Sequence, residues 1–159
     1  MATMVKYNQD GTRSLYIVTN QGEEKELLRT RPYDNILSTE FDPTKTILYC
    51  LLTEGIENTE EDKKQLYIAA FDLKKNYLIP LIILPNQRSV NMDLSPDGLV
   101  LLFDQVVTRS IKGKGTENRE KTSRLWVLPL DVKILEHDSK WQLKPEELPL
   151  TGLSPQWAP

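Results

Sequence analysis

The sequence has very few of the residues from which catalytic and metal sites are usually built. It contains one histidine, His137, and one cysteine, Cys50. A structural zinc site needs several Cys or His ligands, and a general base needs a nucleophile and an orienting group within reach. His137 lies between acidic residues in a polar stretch and is predicted to be a surface residue. We therefore predict no site built from histidine and cysteine.

Long apolar runs and strong charge of one sign are also missing. No stretch approaches the roughly 18 consecutive apolar residues of a membrane-spanning helix, so we expect no membrane span. The segment after Met1 is polar and does not have the pattern of a signal peptide. The formal net charge is only −3, which favours neither nucleic acid nor an anionic membrane as a partner.

Three further patterns resemble ligand sites but lack their defining features. The acidic residues within 57–62 lack the alternating acidic pattern and glycine of a calcium loop. Gly113-Lys114-Gly115 lacks the strand–loop–helix context of a phosphate-binding loop. The basic stretch 108–123 contains no aromatic residue on which a base could stack. We therefore predict no metal, no cofactor and no nucleic-acid partner.

Cys50 lies in the apolar segment ILYCLL, and neither flank is electropositive. A thiol in such a place is predicted to be buried rather than reactive, because reactive thiols need an environment that stabilises the thiolate. A single cysteine leaves the redox compartment open.

The clearest pattern in the chain is Leu94–Phe103, LSPDGLVLLF. Pro and Asp suit the central positions of a tight turn, and Gly98 suits its exit. Apolar residues alternate with polar ones before the turn and run continuously after it. Strand, turn and strand together predict a β-hairpin.

Weaker copies of this pattern occur on both sides. One copy starts at Ile36, passes through Asp-Pro-Thr-Lys and continues as ILYCLL, and another starts at Leu153 as LSPQWAP. Phe41, Leu94 and Trp157 occupy corresponding positions just before the turns. A second repeated motif alternates with these copies: SLYIV, QLYIA and RLWVL, which start at residues 14, 65 and 124. Two interleaved motifs in a constant order, with a period of about 50–60 residues, are typical of propeller blades.

LSPDGLVLLFD, SLYIVTNQGEE and QLYIAAFDLKK resemble the WD-like repeats of TolB-type β-propellers. The resemblance covers residues 8–159, although Leu94 and Phe41 replace the usual tryptophan and the DPTK turn lacks glycine. It implies an all-β fold: a β-propeller segment of antiparallel blades within a single domain, 1–159. It also implies an extracytoplasmic, periplasmic envelope protein that binds protein partners.

We predict two complete four-stranded blades, at about 36–84 and 89–150, with partial blades at 8–30 and 153–159. Met1–Lys6 is expected to be frayed. So few strands do not close a propeller, for which about four blades are the usual minimum. The chain is therefore expected to be a fragment of a longer propeller. The alternative is an arc completed by a second copy, as a homodimer formed through open sheet edges.

Two long connections, Glu54–Lys64 and Thr108–Ser123, are predicted on one propeller face, the first acidic and the second basic. They are interpreted as solvated loops or as a surface for partner recognition, because insertions on one face often form the binding face. Most aromatic residues fall on strands, where packing between blades is favoured over a cofactor site. The residues chosen as possible partner contacts lie in connections: Tyr33, Arg109, Lys112, Lys114 and Trp141.

These observations favour a non-catalytic β-propeller scaffold that binds a protein or peptide through its loop face. The alternative is enzymatic: a gating propeller of a prolyl-oligopeptidase-like serine peptidase, or part of another propeller enzyme such as a lyase. In such peptidases the catalytic serine lies in a separate α/β domain, and a Gly-x-Ser-x-Gly motif downstream would distinguish the two. This chain itself is predicted not to be an enzyme.

Overall fold

The structure, a computed structural model, describes residues 1–55, 64–84, 90–111, 118–130 and 143–158, with side chains except at 64 and 107–120. These residues form eleven β-strands and no helix. They cluster into two compact units, of which unit 1 contains the described residues up to 84 and unit 2 those from 90 onward. The all-β prediction is confirmed.

Unit 1 consists of two antiparallel sheets. The first has the order β1-β2-β3, and its strands are Ala2–Tyr7, Arg13–Val18 and Glu24–Arg29. The second has the order β4-β5-β6-β7, and its strands are Ile36–Phe41, Ile47–Gly55, Lys64–Asp72 and Tyr77–Leu84. The four strands that the sequence predicts within about 36–84 are confirmed. The expectation that Met1–Lys6 is frayed is wrong, because β1 pairs along its whole length with β2.

The two sheets of unit 1 share one apolar core. Its buried members come from both sheets: Leu15, Ile17, Leu27, Ile36, Leu48, Cys50, Leu52, Ala69 and Phe71. Thr3 on β1 and Thr39 on β4 add a hydrogen bond between their hydroxyls at 2.8 Å. The core members on β2 (Leu15 and Ile17) and on β5 (Leu48, Cys50 and Leu52) are two residues apart along their strands. They therefore lie on the face of each strand that is directed toward the other sheet.

Unit 2 contains one antiparallel sheet of order β11-β10-β9-β8. Its strands are Met92–Leu94 (β8), Val100–Ile111 (β9), Asn118–Pro129 (β10) and Glu146–Glu147 (β11). The prediction of two four-stranded antiparallel sheets is thereby confirmed, including a weak fourth strand within 141–150. The assignment of the sheets to blades of one propeller stays a prediction.

Two predicted features of unit 2 are wrong. Thr108–Ser123 is not a connection throughout, because β9 and β10 continue their pairing from Val100↔Pro129 out to Ile111↔Asn118. Residues 154–158 do not start another strand, and Trp157 instead bonds to Asp93 of β8. Similarity to the earlier turns predicts a strand at Trp157, but in the described part of unit 2 this segment pairs with no strand of the sheet.

The Ser-Pro-Asp-Gly turn has the geometry that its residues predict. Gly98 has φ +75° and donates its N–H to Ser95 O at 2.8 Å, while Ser95 N–H donates to Val100 O at 2.9 Å. The Asp97 carboxylate accepts from the Ser95 hydroxyl (2.6 Å) and the Leu99 N–H (3.0 Å). These hydrogen bonds hold the pKa of Asp97 below its usual value.

The Asp-Pro-Thr-Lys turn reproduces the same backbone bonds without a glycine. Lys45 N–H donates to Asp42 O at 2.9 Å, and Asp42 N–H donates to Ile47 O at 3.0 Å. Lys45 takes φ +54°, a left-handed conformation that costs energy for any residue with a Cβ. The two turns are therefore equivalent in structure, and Lys45 stands where the other turn has Gly98.

Opposite stability changes are expected from opposite substitutions at these two positions. Lys45→Gly should raise the free energy of unfolding by about 0.5–1 kcal/mol, because it relieves the left-handed strain. Gly98→Ala should lower it by about 1 kcal/mol, because alanine introduces that strain. Urea unfolding followed by circular dichroism measures both changes. Changes of the same sign at the two positions would contradict the equivalence of the turns.

Candidate functional site

Three segments of unit 1 meet at one end of its two sheets. They are the turn between β1 and β2, the connection from β3 to β4, and the last residues of β5. Tyr33 N–H donates to Gly11 O at 2.9 Å, and Thr53 N–H donates to Asn35 O at 2.9 Å. These bonds tie the connection to the turn on one side and to β5 on the other. We call residues 7–13, 28–35 and 52–55 the loop end of unit 1.

Tyr33 is the one predicted contact residue whose side chain the structure describes. Its side chain is 73 % exposed and its backbone takes φ +68°. The ring lies over Gly11, where an added Cβ would be 3.5 Å from the Tyr33 Cε1 atom. That distance is an ordinary van der Waals contact, and glycine is favoured at position 11 because its backbone takes φ +83°. The exposure predicted for Tyr33 is confirmed.

A second tyrosine lies on the same end, and sequence reasoning missed it. Tyr7 ends β1 and is 74 % exposed. The Arg13 guanidinium lies over its ring at 4.3 Å, and Arg13 Nη1 donates to Gly11 O at 3.0 Å. Gly11 thus links Arg13 and Tyr33, and we call Tyr7, Arg13 and Tyr33 the aromatic patch. The signal that could have found it is the turn at 8–11, because a turn followed by a strand predicts a paired strand before the turn, which would end at Tyr7.

A cavity of about 190 Å³ opens at the same end. Its apolar walls come from both sheets of unit 1, and its polar groups come from the end of β3, the connection, β5 and β6. The lining residues are Leu28, Arg29, Thr30, Arg31, Asp34, Leu52, Thr53, Glu54, Tyr67 and Leu78. The cavity therefore combines apolar walls with ionised and hydroxyl groups.

Arg31 connects the acidic groups around this cavity. Its Nε lies 3.5 Å from Asp34 Oδ2, and its Nη2 forms an ion pair with Glu54. Asp34 is buried, and its Oδ1 accepts the Gly55 N–H at 2.7 Å. A buried carboxylate needs such partners, because its desolvation is otherwise costly. The arrangement holds the connection and the end of β5 in fixed positions.

Tyr67 contributes a hydroxyl that stays protonated. Burial, followed by the charges of Glu54 and Asp34, raises its pKa to about 12. The phenol is therefore neutral at physiological pH, and its O–H is a hydrogen-bond donor rather than a base.

Of the other predicted contact residues, the structure describes only the backbone of Arg109. Arg109 lies in unit 2, within β9 and opposite Glu120, rather than in a connection. Lys112, Lys114 and Trp141 lie outside the described residues, as does His137.

Chemical reactivity is low among the described side chains. Cys50 is buried, and burial raises the pKa of its thiol to about 12, so the thiolate is scarce at neutral pH. Within the described ranges, no group of three or more His, Cys, Asp or Glu is placed to hold a metal ion. The part of the chain seen here has no helix long and apolar enough to cross a membrane.

No protein-family model, no curated protein and no solved structure matches this chain significantly.

Proposed function

We propose that the chain is a segment of a non-catalytic, TolB-type β-propeller and that the loop end of unit 1 binds an extended peptide or protein segment. Two antiparallel four-stranded sheets with equivalent turns support the propeller assignment. The three-stranded sheet that shares a core with the first of them is consistent with a partial blade.

The observation that carries the binding function is the aromatic patch beside the cavity. Tyrosine and arginine dominate the residues that contribute most to protein–protein affinity. Two largely exposed tyrosines on one end of unit 1, with Arg13 beside them, therefore favour a contact surface. Tyrosines present large rigid faces and lose little conformational entropy when they bind.

The size of the cavity narrows the class of ligand. At about 190 Å³ it lies below the roughly 300–1,000 Å³ of typical small-molecule and cofactor sites. It is better suited to one side chain of a larger partner than to a whole cofactor. Leu28, Leu52 and Leu78 supply apolar contact, and Arg31 with its carboxylate partners supplies polar contact at the rim.

Peptide selection tests this proposal. A phage-displayed library of random peptides is selected against the full chain, and the affinity of enriched peptides is measured by fluorescence anisotropy. The double substitution Tyr7→Ser/Tyr33→Ser is expected to weaken binding at least about tenfold, because truncation of an aromatic hot spot costs more than about 1–2 kcal/mol.

Tyr77→Ser is the matched control. Tyr77 is 51 % exposed and begins β7, at the opposite end of the sheet from Gly55. Its replacement is expected to leave peptide affinity within about twofold of the wild-type value. Failure to enrich any peptide, or an equal loss in both variants, would count against a binding site at the loop end.

A further inference from the structure

Residues 152–157 cross one face of the sheet in unit 2. An added Cβ at Gly152 would lie 3.6 Å from the side chain of Leu125 on β10. Ser154 N–H donates to Asp104 Oδ2 on β9 at 2.7 Å. Trp157 N–H donates to Asp93 Oδ2 on β8 at 2.6 Å. The segment therefore passes over three neighbouring strands in turn, and we call it the strap.

The contacted side chains share a single face of the sheet. Leu125 is directly opposite Asp104, and Asp93 is directly opposite Leu102. Residues 102 and 104 are two apart on β9, so they point to the same side. The strap thus lies on a face of the sheet and adds no strand to its edge.

The strap is held by a small and specific set of groups. Besides the two carboxylates, Asp93 O accepts the Trp157 indole N–H at 3.2 Å, and the Ser123 hydroxyl donates to Gly152 O. The two backbone donors, Ser154 and Trp157, are three residues apart. Ser154 takes φ +52°, a conformation that costs energy for a residue with a Cβ. This face of the sheet therefore favours a segment with two backbone N–H donors three residues apart and an indole at the second of them.

Asp104 is a hydrogen-bond acceptor on this face of the sheet that favours an N–H donor from a bound segment. Its carboxylate is buried, and within the described residues it accepts hydrogen bonds from the backbone and side-chain N–H groups of Asn91 as well as from Ser154. If the strap leaves, an oxygen of a buried carboxylate loses a partner. Asp104 Oδ2 then keeps the Asn91 side-chain amide but loses the shorter of these two hydrogen bonds. A carboxylate oxygen forms strong charge-assisted hydrogen bonds, so another N–H donor is favoured in that place.

We propose that this face of unit 2 is a peptide-binding site that the strap occupies in cis. It accepts in trans an extended peptide with the strap's chemistry: backbone N–H groups three residues apart, and an indole at the second of these positions. The strap and an incoming peptide compete for Asp93 and Asp104. This inference does not rest on the function proposed for unit 1.

The test uses the full chain and a fluorescent peptide with the sequence of residues 151–158, Thr-Gly-Leu-Ser-Pro-Gln-Trp-Ala. Wild-type protein should bind it weakly, because the tethered strap competes at high effective concentration. Trp157→Ala loosens the strap and should raise the peptide affinity at least about tenfold, since the apparent affinity follows the fraction of open sites. A peptide with alanine in place of tryptophan should not bind.

Two changes in the Trp157→Ala background locate the bound peptide. Asp93→Ala should weaken binding at least about tenfold, because it removes the charged acceptor. Glu146→Ala removes a carboxylate from β11 at the opposite edge of the same sheet and should leave affinity within about twofold. Circular dichroism verifies that each variant is folded, and Asp93→Asn, with a smaller expected loss of about threefold, replaces the alanine variant if that one unfolds.

Equal peptide affinity in wild type and Trp157→Ala would overturn the proposal, as would binding that is indifferent to residue 93. A wild-type dimer that the peptide dissociates would support the site and identify a second copy of the chain as the source of the segment.

Discussion

Replacement of Leu48 by alanine is expected to lower the free energy of unfolding by about 2–5 kcal/mol. Leu48 is fully buried in the core shared by the two sheets of unit 1. It lies opposite Phe41 on β4 and Phe71 on β6. The truncation removes apolar contact on both sides and leaves a cavity that a rigid pair of sheets fills only in part.

The repeat predicts the same result at a second position. Leu101 is also fully buried and lies opposite Leu94, as Leu48 lies opposite Phe41. Leu101→Ala should therefore cost about 2–5 kcal/mol as well. Leu99→Ala is the control, because Leu99 is more than half exposed and its loss should cost less than about 0.5 kcal/mol. Urea unfolding measures all three, and a cost below about 1 kcal/mol for either buried leucine would contradict the equivalence of the hairpins.

Asp104→Ala is expected to cost about 2–4 kcal/mol of unfolding free energy. The Asp104 carboxylate is buried and accepts the Asn91 N–H, the Asn91 side-chain amide and the Ser154 N–H. Its removal leaves these donors without their acceptor, and hydrogen bonds to charged groups contribute more than neutral ones.

Hydrogen exchange separates this effect from a general loss of packing. In Asp104→Ala the amide protons of Asn91 and Ser154 should exchange much faster than in wild type, because their acceptor is gone. Glu146→Ala, on the exposed strand β11, should change neither the exchange rates nor the unfolding free energy by more than about 0.5 kcal/mol. Unchanged exchange at Ser154 in Asp104→Ala would show that the carboxylate does not hold the strap.

Much of the fold was predictable from local pattern. Alternating residues at 36–41, a continuous apolar run after the turn, and the Ser-Pro-Asp-Gly signal each predicted elements that the structure contains. These signals work because side-chain alternation and turn conformation are properties of a few adjacent residues. The positive φ of Gly98 follows from the same local logic, and that of Lys45 follows from its equivalent position.

The candidate site was predictable only in part. The position of Tyr33 in a connection between strands predicts a possible partner contact, and the residue is exposed. Its neighbours Tyr7 and Arg13 are distant in sequence and reach it only because β1 and β2 form a hairpin whose turn contacts the connection. The cavity likewise depends on residues from β3, β5, β6 and β7, which no short sequence window joins.

The sequence by itself determined that this protein is all-β, that its strands form antiparallel hairpins with equivalent turns, and that it contains one histidine and one cysteine. The tertiary structure alone decided that β1 completes a third strand of the first sheet, that β9 and β10 extend as paired strands, and that residues 152–157 cross a sheet face. The reason is physical. Turn type and side-chain alternation are set by neighbouring residues. The hydrogen-bond partners of a buried carboxylate such as Asp104, and the strand with which another strand pairs, are groups that folding brings together from far along the chain.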